Sequence, residues 1–173
     1  MKLESKLDNS INYVEEQLVG FIESRYVRRT DDYFIGYLSS QTGCNRGCKF
    51  CHLTTTKQTK FENETASGFN LQIIKILKEY SEHNPAKTVH WNFMARGEPL
   101  MNEVVNSELL YTICRYSHNF DFIPKFNVLT IIPRDVNFEL SERFDIVTPT
   151  IYYSIYSVNP DFRKKWRQRS IES

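Results

Sequence analysis

The chain lacks an excess of charge of either sign: 22 Lys plus Arg stand against 21 Asp plus Glu. Its overall field therefore steers it neither to nucleic acid nor to an anionic membrane, and any basic footprint must be local. It also lacks an apolar run near the roughly 20 residues that a bilayer span needs. Its first residues, Met-Lys-Leu-Glu-Ser-Lys-Leu-Asp, carry acids and no apolar core of the secretory kind. Internal repeats and low-complexity segments are missing as well. These absences exclude a membrane bundle or a disordered tail, and the chain reads as cytoplasmic with no membrane partner. What remains is globular: 173 residues, 40% hydrophobic and 25% charged, enough for one domain with its own core.

The pattern of apolar residues predicts a helical lead followed by strands that alternate with helices. Leu3, Leu7, Ile11, Val14, Leu18 and Ile22 recur every three or four residues, the period of an amphipathic helix over 2–23. Tyr33 to Ser40 reads as a first core strand, and Lys57 to Thr65 as a polar loop. Asn70 is placed to cap a helix bearing Leu71, Ile74 and Leu77. Thr88 to Met94 reads as a second strand, Glu103 to Ser117 as a second helix and Phe126 to Thr130 as a third strand. Pro133 suits the first turn of a third helix running through Phe144. Ile146 to Ser157 reads as a fourth strand whose front half is limited by Pro149. Strands alternating with helices imply a parallel sheet with helical crossovers, and four strands cannot close an eight-stranded barrel.

Cysteine is scarce but not scattered. Of four, Cys44, Cys48 and Cys51 fall within eight residues, and Cys114 lies far away in a helix, where it reads as a small core residue. A secreted disulfide framework would spread its cysteines; a tight cluster points to metal. The Cys-x3-Cys-x2-Cys spacing suits an iron–sulfur cluster with one iron left open to a small molecule. The alternative is a zinc knuckle completed by His52, which adjacency to Cys51 would strain. Gly97-Glu98-Pro99 follows the second strand, and Ser154 to Tyr156 the fourth. Ligands of parallel sheets bind where strands end at their C-terminal edge, so these segments and the cysteine loop converge on one pocket. Taken alone, each of the two later segments would read as an ordinary turn or packed strand.

The run Gln41-Thr42-Gly43-Cys44-Asn45-Arg46-Gly47-Cys48-Lys49-Phe50-Cys51 resembles the cluster loop of the radical S-adenosylmethionine (radical SAM) enzymes. Two stretches narrow the resemblance to their RlmN and Cfr methyltransferase branch. One is Ser39-Ser40-Gln41 with Lys57-Gln58. The other is Phe93-Met94-Ala95-Arg96-Gly97-Glu98-Pro99-Leu100-Met101-Asn102, similar to that branch's Phe-Met-Gly-x-Gly-Glu-Pro-Leu-x-Asn. More weakly, Tyr153 to Asn159 resembles a later Ser-Leu-His-Ala segment, with Tyr156 in place of His, and Ile22-Glu23-Ser24 resembles a segment with an essential carboxylate.

The resemblance implies an α/β partial parallel barrel of the radical SAM type. It would have about four strands with crossover helices, preceded by an N-terminal helix. Residues 1–28 would be a helical lead left from an accessory domain, and 29–173 a core truncated on its C-terminal side. It implies a 4Fe-4S cluster on Cys44, Cys48 and Cys51, and S-adenosylmethionine (SAM) bound by Gly97, Glu98, Ser154, Ile155 and Tyr156. Glu23 would serve catalysis. It further implies reductive SAM cleavage fed by an external electron donor such as flavodoxin, and adenine-C2 or C8 methylation of ribosomal or transfer RNA. The family uses two further cysteines: one would lie at Tyr37, and the methyl-carrying one lies beyond these residues. Their absence argues against methyl transfer by this chain alone. It favours a fragment, a half completed by a second polypeptide, a radical SAM enzyme with another substrate, or a non-catalytic iron–sulfur or zinc module. The basic run Arg163, Lys164, Lys165, Arg167 and Arg169 around Trp166 would suit RNA contact or a solvated helix face.

Overall fold

Seven strands pair strictly in chain order in the computed structural model, which describes residues 1–81 and 86–166. The strands β1 (Lys2–Glu4), β2 (Ile11–Glu16) and β3 (Phe21–Arg28) form an antiparallel ribbon that joins β4 (Tyr33–Leu38) antiparallel. From β4 onward the pairing is parallel, through β5 (Thr88–Phe93), β6 (Ile123–Thr130) and β7 (Thr150–Tyr153). The helices are α1 (His52–Thr55), α2 (Ala66–Ser81), α3 (Ser107–His118), α4 (Leu140–Arg143) and α5 (Pro160–Trp166). None of the described helices is long and apolar enough to cross a membrane.

The expected α/β architecture with four parallel strands is present. The expected N-terminal helix is not: residues 2–23 form strands instead. Of the six residues that suggested a helical face, Ile11 and Ile22 are buried, whereas Leu7 and Leu18 lie almost wholly in water at the two hairpin turns. Asn9 and Gly20 adopt positive φ angles of 51° and 76°, which breaks any helix through them. The alternation Ile22, Ser24, Tyr26 on β3, all buried, is the strand signal that the three-to-four spacing concealed.

The third expected helix shrinks to α4, because Ile132 takes φ 47° and 133–136 form a turn closed by Val136 N–H on the Pro133 carbonyl at 3.1 Å. The first long helix starts at Ala66 rather than after Asn70. Thr65 caps it, its hydroxyl accepting the Gly68 N–H at 3.0 Å. The fourth strand begins directly after Pro149 and spans only Thr150–Tyr153. Arg167 and Arg169 of the basic run lie outside the described residues.

The register shows which face is the core. Phe34, Gly36 and Leu38 pair with Val89, Trp91 and Phe93, and these with Pro124, Phe126 and Val128. This face packs against Phe69, Ile73, Ile76 and Tyr80 of α2 and Leu109, Leu110 and Ile113 of α3. Gly36 is required there: a Cβ would stand 2.4 Å from the Trp91 ring. The opposite face carries Ile35, Tyr37, His90, Asn92, Lys125 and Asn127, a mixed polar row in which Asn127 donates to Asn92 at 2.6 Å.

Candidate functional site at the C-terminal edge of the parallel strands

Four successive strands deliver their ends to one place. Leu38 pairs with Phe93 and Phe93 with Val128, while Thr130 pairs with Tyr153, so the segments after β4 to β7 emerge side by side. Between them lies a cavity of about 220 Å³ whose wall includes Glu23, Cys44, Cys48, Cys51, Gly97, Glu98 and Ser154. Ile155 and Tyr156 are not part of the wall. Tyr156 instead stacks on Phe50 at 4.2 Å, with φ 60°, and continues through Phe162 to Trp166 of α5. The Lys49 N–H also donates to the Trp166 carbonyl at 3.0 Å, so the last described helix is fastened to the cysteine loop.

The cysteine loop is held by the chain that returns after it. Cys44 N–H donates to the Gln58 carbonyl at 3.1 Å, Thr42 N–H to the Glu62 carbonyl at 3.0 Å, and Cys51 N–H to the Cys48 carbonyl at 2.9 Å. None of the three cysteines is in a disulfide; Cys48 is buried and the other two are half-buried. Burial away from water pushes the Cys44 thiol up to about 11, aided by the negative charges of Glu98 and Cys51 and opposed by Arg46. Arg46, also on the wall, donates from Nη1 to both carboxylate oxygens of Asp135 at 2.6 and 2.9 Å, which joins the loop to the β6–β7 connection.

The Gly97–Glu98 turn is locked from both sides. Ser40 N–H donates to the Arg96 carbonyl at 2.8 Å, and Glu98 N–H to the Gln41 side-chain oxygen at 2.9 Å. Asn102 donates to the carbonyls of Ser40 at 2.8 Å and Glu64 at 2.7 Å. Gly97 has φ 91°, and a Cβ there would stand 2.6 Å from Gln41 Cβ and 2.7 Å from Ser40 Oγ. Its lack of a side chain thus makes room for the side chains of Ser40 and Gln41.

The Glu98 carboxylate is buried. It accepts from the Thr130 hydroxyl at 2.5 Å, from Ile131 N–H at 3.2 Å and from Leu100 N–H at 3.4 Å. Burial raises it from 4.5 to about 7 against those three bonds and the pull of Arg46.

Glu23 reaches the wall from β3. The Ser39 hydroxyl fixes its backbone, accepting its N–H at 3.0 Å and donating to its carbonyl at 2.5 Å, beyond the last β3–β4 ladder pair. Its carboxylate meets Arg96, whose Nη1 donates to Oε1 at 2.7 Å. Arg96 and Arg46 are wall residues that the spacing argument overlooked. Each sits inside a quoted motif, and a cation amid otherwise buried turn residues was the available signal. Cys114 is half-buried against the core, its sulfur 3.9 Å from His118 Nε2, and takes no part in the cavity.

With this geometry in view, the similarity to known proteins has a physical frame. Over 92 residues, 53% of the chain, it is 36% identical to a probable dual-specificity RNA methyltransferase RlmN of Prochlorococcus marinus. Over 115 residues, 59% of the chain, it is 30% identical to the dual-specificity RNA methyltransferase RlmN of Helicobacter hepaticus. The chain is similar to RlmN enzymes over part of its length. A third relative, the RlmN of Lawsonia intracellularis, is 37% identical over 67 residues, 38% of the chain. The shared stretches amount to 24%, 30% and 18% of these RlmN relatives' own lengths, so the chain matches less than a third of each. No protein-family profile matches the chain.

Proposed function

We propose that this chain is the cofactor-binding part of an RlmN-like radical SAM enzyme acting on an adenine of ribosomal or transfer RNA. The observation that carries the reading is the cavity itself. Three cysteines from one loop, none in a disulfide, share one wall with a Gly-Glu turn and the start of the Ser154 segment at the C-terminal ends of parallel strands. Such an edge is where a radical SAM partial barrel would bind its cofactors.

The donor set fits a 4Fe-4S cluster better than a mononuclear metal. No three His, Cys, Asp or Glu side chains among the described residues stand close enough to hold a single ion. A zinc knuckle on Cys44, Cys48, Cys51 and His52 would need the adjacent Cys51 and His52 to serve one ion. In a cube each thiolate takes its own iron, so the ligands need not crowd one point, and soft thiols are the donors it requires. Cys44, Cys48 and Cys51 would hold it. When bound, the cluster supplies the electron, received from an external donor such as flavodoxin, that splits SAM.

The remaining residues bind and orient. Gly97 and Glu98 form the edge against which the SAM amino group would rest, and Ser154 offers it a hydrogen bond. Ile155 and Tyr156 would act from behind, since Tyr156 packs on Phe50 and braces the loop between Cys48 and Cys51. Burial raises the Glu98 carboxyl toward neutral pH, and its bond from Thr130 keeps the turn in register with β6. Glu23 presents a carboxylate to the reacting partner. The edge of β7, which pairs with no further strand among the described residues, is where a second polypeptide would extend the sheet.

A second reading, a radical SAM enzyme with a different substrate, draws on Tyr37, which occupies the β4 position where relatives of this type carry a cysteine. One experiment separates these readings. The chain is reconstituted anaerobically with iron and sulfide, then given dithionite, SAM and adenine-containing RNA. Iron-bound protein that releases deoxyadenosine and methylates RNA supports the first, and deoxyadenosine without RNA methylation supports the second. Stoichiometric zinc, or iron retained after Cys48→Ala, refutes both.

A further inference from the structure

Arg96 is a buried cation of the cavity wall that bonds to several segments at once. Its side chain is 4% exposed, and a guanidinium so buried needs a counter-charge. Glu23 is the carboxylate that pairs with it among the described residues. Nη1 donates to Glu23, Nη2 to the Thr42 carbonyl at 3.1 Å and also to the Gln58 side-chain oxygen, and the group lies 5.9 Å over the Phe21 ring. These contacts reach β3, the residues just before Cys44, and the strand of chain just after the cysteine loop. One side chain therefore reads the position of three separate segments of the wall.

The pairing with Glu23 is end-on. It uses Nη1 and Oε1 alone, although a guanidinium and a carboxylate can meet through two parallel bonds. Arg96 Nε is buried without a hydrogen-bond partner among the described residues, so the orientation does not maximise the arginine's own bonding. It leaves Glu23 Oε2 without a partner among the described residues, on a side chain that lines the cavity.

We propose that Arg96 is a positioning residue: it fixes Glu23 as a one-oxygen acceptor at the cavity wall and couples that carboxylate to the cysteine loop through Thr42 and Gln58. The acceptor takes a hydrogen-bond donor or cationic group of whatever occupies the cavity. Arg96 acts through Glu23 rather than through a bond of its own to that occupant. This inference rests on reading the cavity as the reaction site, and its test is chosen to be separable from that reading.

The carboxyl carbon signals of the full chain carrying ¹³C-glutamate are recorded by NMR, with the Glu23 signal assigned by its loss in Glu23→Gln. The Glu23 signal moves in Arg96→Met and returns toward its wild-type place in Arg96→Lys. An unmoved signal in Arg96→Met overturns the proposal, since an arginine that merely packs would leave the carboxylate alone. Should Arg96→Met not fold, the reciprocal measurement decides. In Glu23→Gln the guanidinium nitrogen signals of Arg96 shift if the pair is formed and stay in place if it is not.

In the reconstituted enzyme with SAM and RNA, Arg96→Met lowers kcat by on the order of tenfold to a hundredfold while KM for SAM is maintained. The double variant with Glu23→Gln is no worse than Glu23→Gln alone; losses that multiply overturn the proposal. If the wild-type chain takes up no iron, the proposed function fails, and the carboxyl signal still decides for or against Arg96.

Discussion

On the parallel half of the sheet, β4 to β6 bury Phe34, Leu38, Val89, Trp91, Phe93, Phe126 and Val128 under α2 and α3. The antiparallel ribbon at the other end is fastened differently. There β1 and β2 reach α2 largely through polar groups: Lys2 pairs with the buried Glu79 at 2.7 Å, Tyr13 donates to the same carboxylate, and Lys75 pairs with Glu15. Apolar burial is non-directional and scales with area, so the parallel half tolerates little loss of volume. Ion pairs with a solvent-exposed member contribute little each, and the buried Glu79 keeps its bond from Tyr13 when Lys2 is lost. The candidate cavity sits where these two regimes meet, with Glu23 from the ribbon and the thiols, Gly97 and Glu98 from the parallel half.

Substitutions graded across this contrast sharpen it or break it. The largest effect belongs to Trp91→Ala, which removes the ring packed over Gly36 and its bond to the Ser117 hydroxyl. A loss of about 3–5 kcal/mol in urea unfolding is expected. A loss as small as that of a ribbon ion pair would erase the distinction.

Next comes the pH profile of Glu98. Its folded value of about 7 lies above the ordinary 4.5, so the native state holds more protons than the unfolded chain between those limits. The stability tied to its neutral form is fully present below pH 4.5 and is lost as pH rises through 7. The difference of 7 − 4.5 = 2.5 units sets a ceiling of about 3 kcal/mol. Denaturant titrations from pH 4 to 8 should show that decline, and Glu98→Gln should flatten it; an unchanged slope would sink this account of its burial.

Gly97→Ala is expected to cost roughly 1–3 kcal/mol through its positive φ and the clash with Ser40 and Gln41. Because the strain is local, the sharper readout is faster alkylation of Cys44, measured by mass spectrometry, as the turn pulls away from the loop. Smallest is Lys2→Met, about 1 kcal/mol or less, because Lys2 is half exposed. Hydrogen exchange should quicken in β1 and β2 and leave β5 protected.

How far these features could be read from the amino acids differs between the same two regions. The parallel strands announce themselves as short apolar runs bounded by turn residues, and the site segments follow them at the expected edge. The ribbon does not. In 2–23 the apolar residues at the two hairpin turns, Leu7 and Leu18, fall in phase with the buried Ile11 and Ile22, so two turns and three strands imitate one helix. Leu71 and Ile74 likewise suggested a helix face, yet both are more than half exposed while Phe69, Ile73 and Ile76 face the core. The thiols and Glu98 were legible from spacing. The Arg96–Glu23 and Arg46–Asp135 pairs were not, because they join residues 73 and 89 positions apart, and nothing in a local pattern signals such partners.

The cavity wall draws on Glu23 near one end of the chain and Ser154 near the other. On a ribosome, Ser154 emerges 154 − 51 = 103 residues after Cys51. At ordinary rates of synthesis that is a delay of roughly 5–20 s. Throughout it the three thiols are already made while the far wall and the Tyr156 brace do not yet exist. The thiols are therefore made before the wall that encloses them, and the nascent chain exposes them more than the finished fold does.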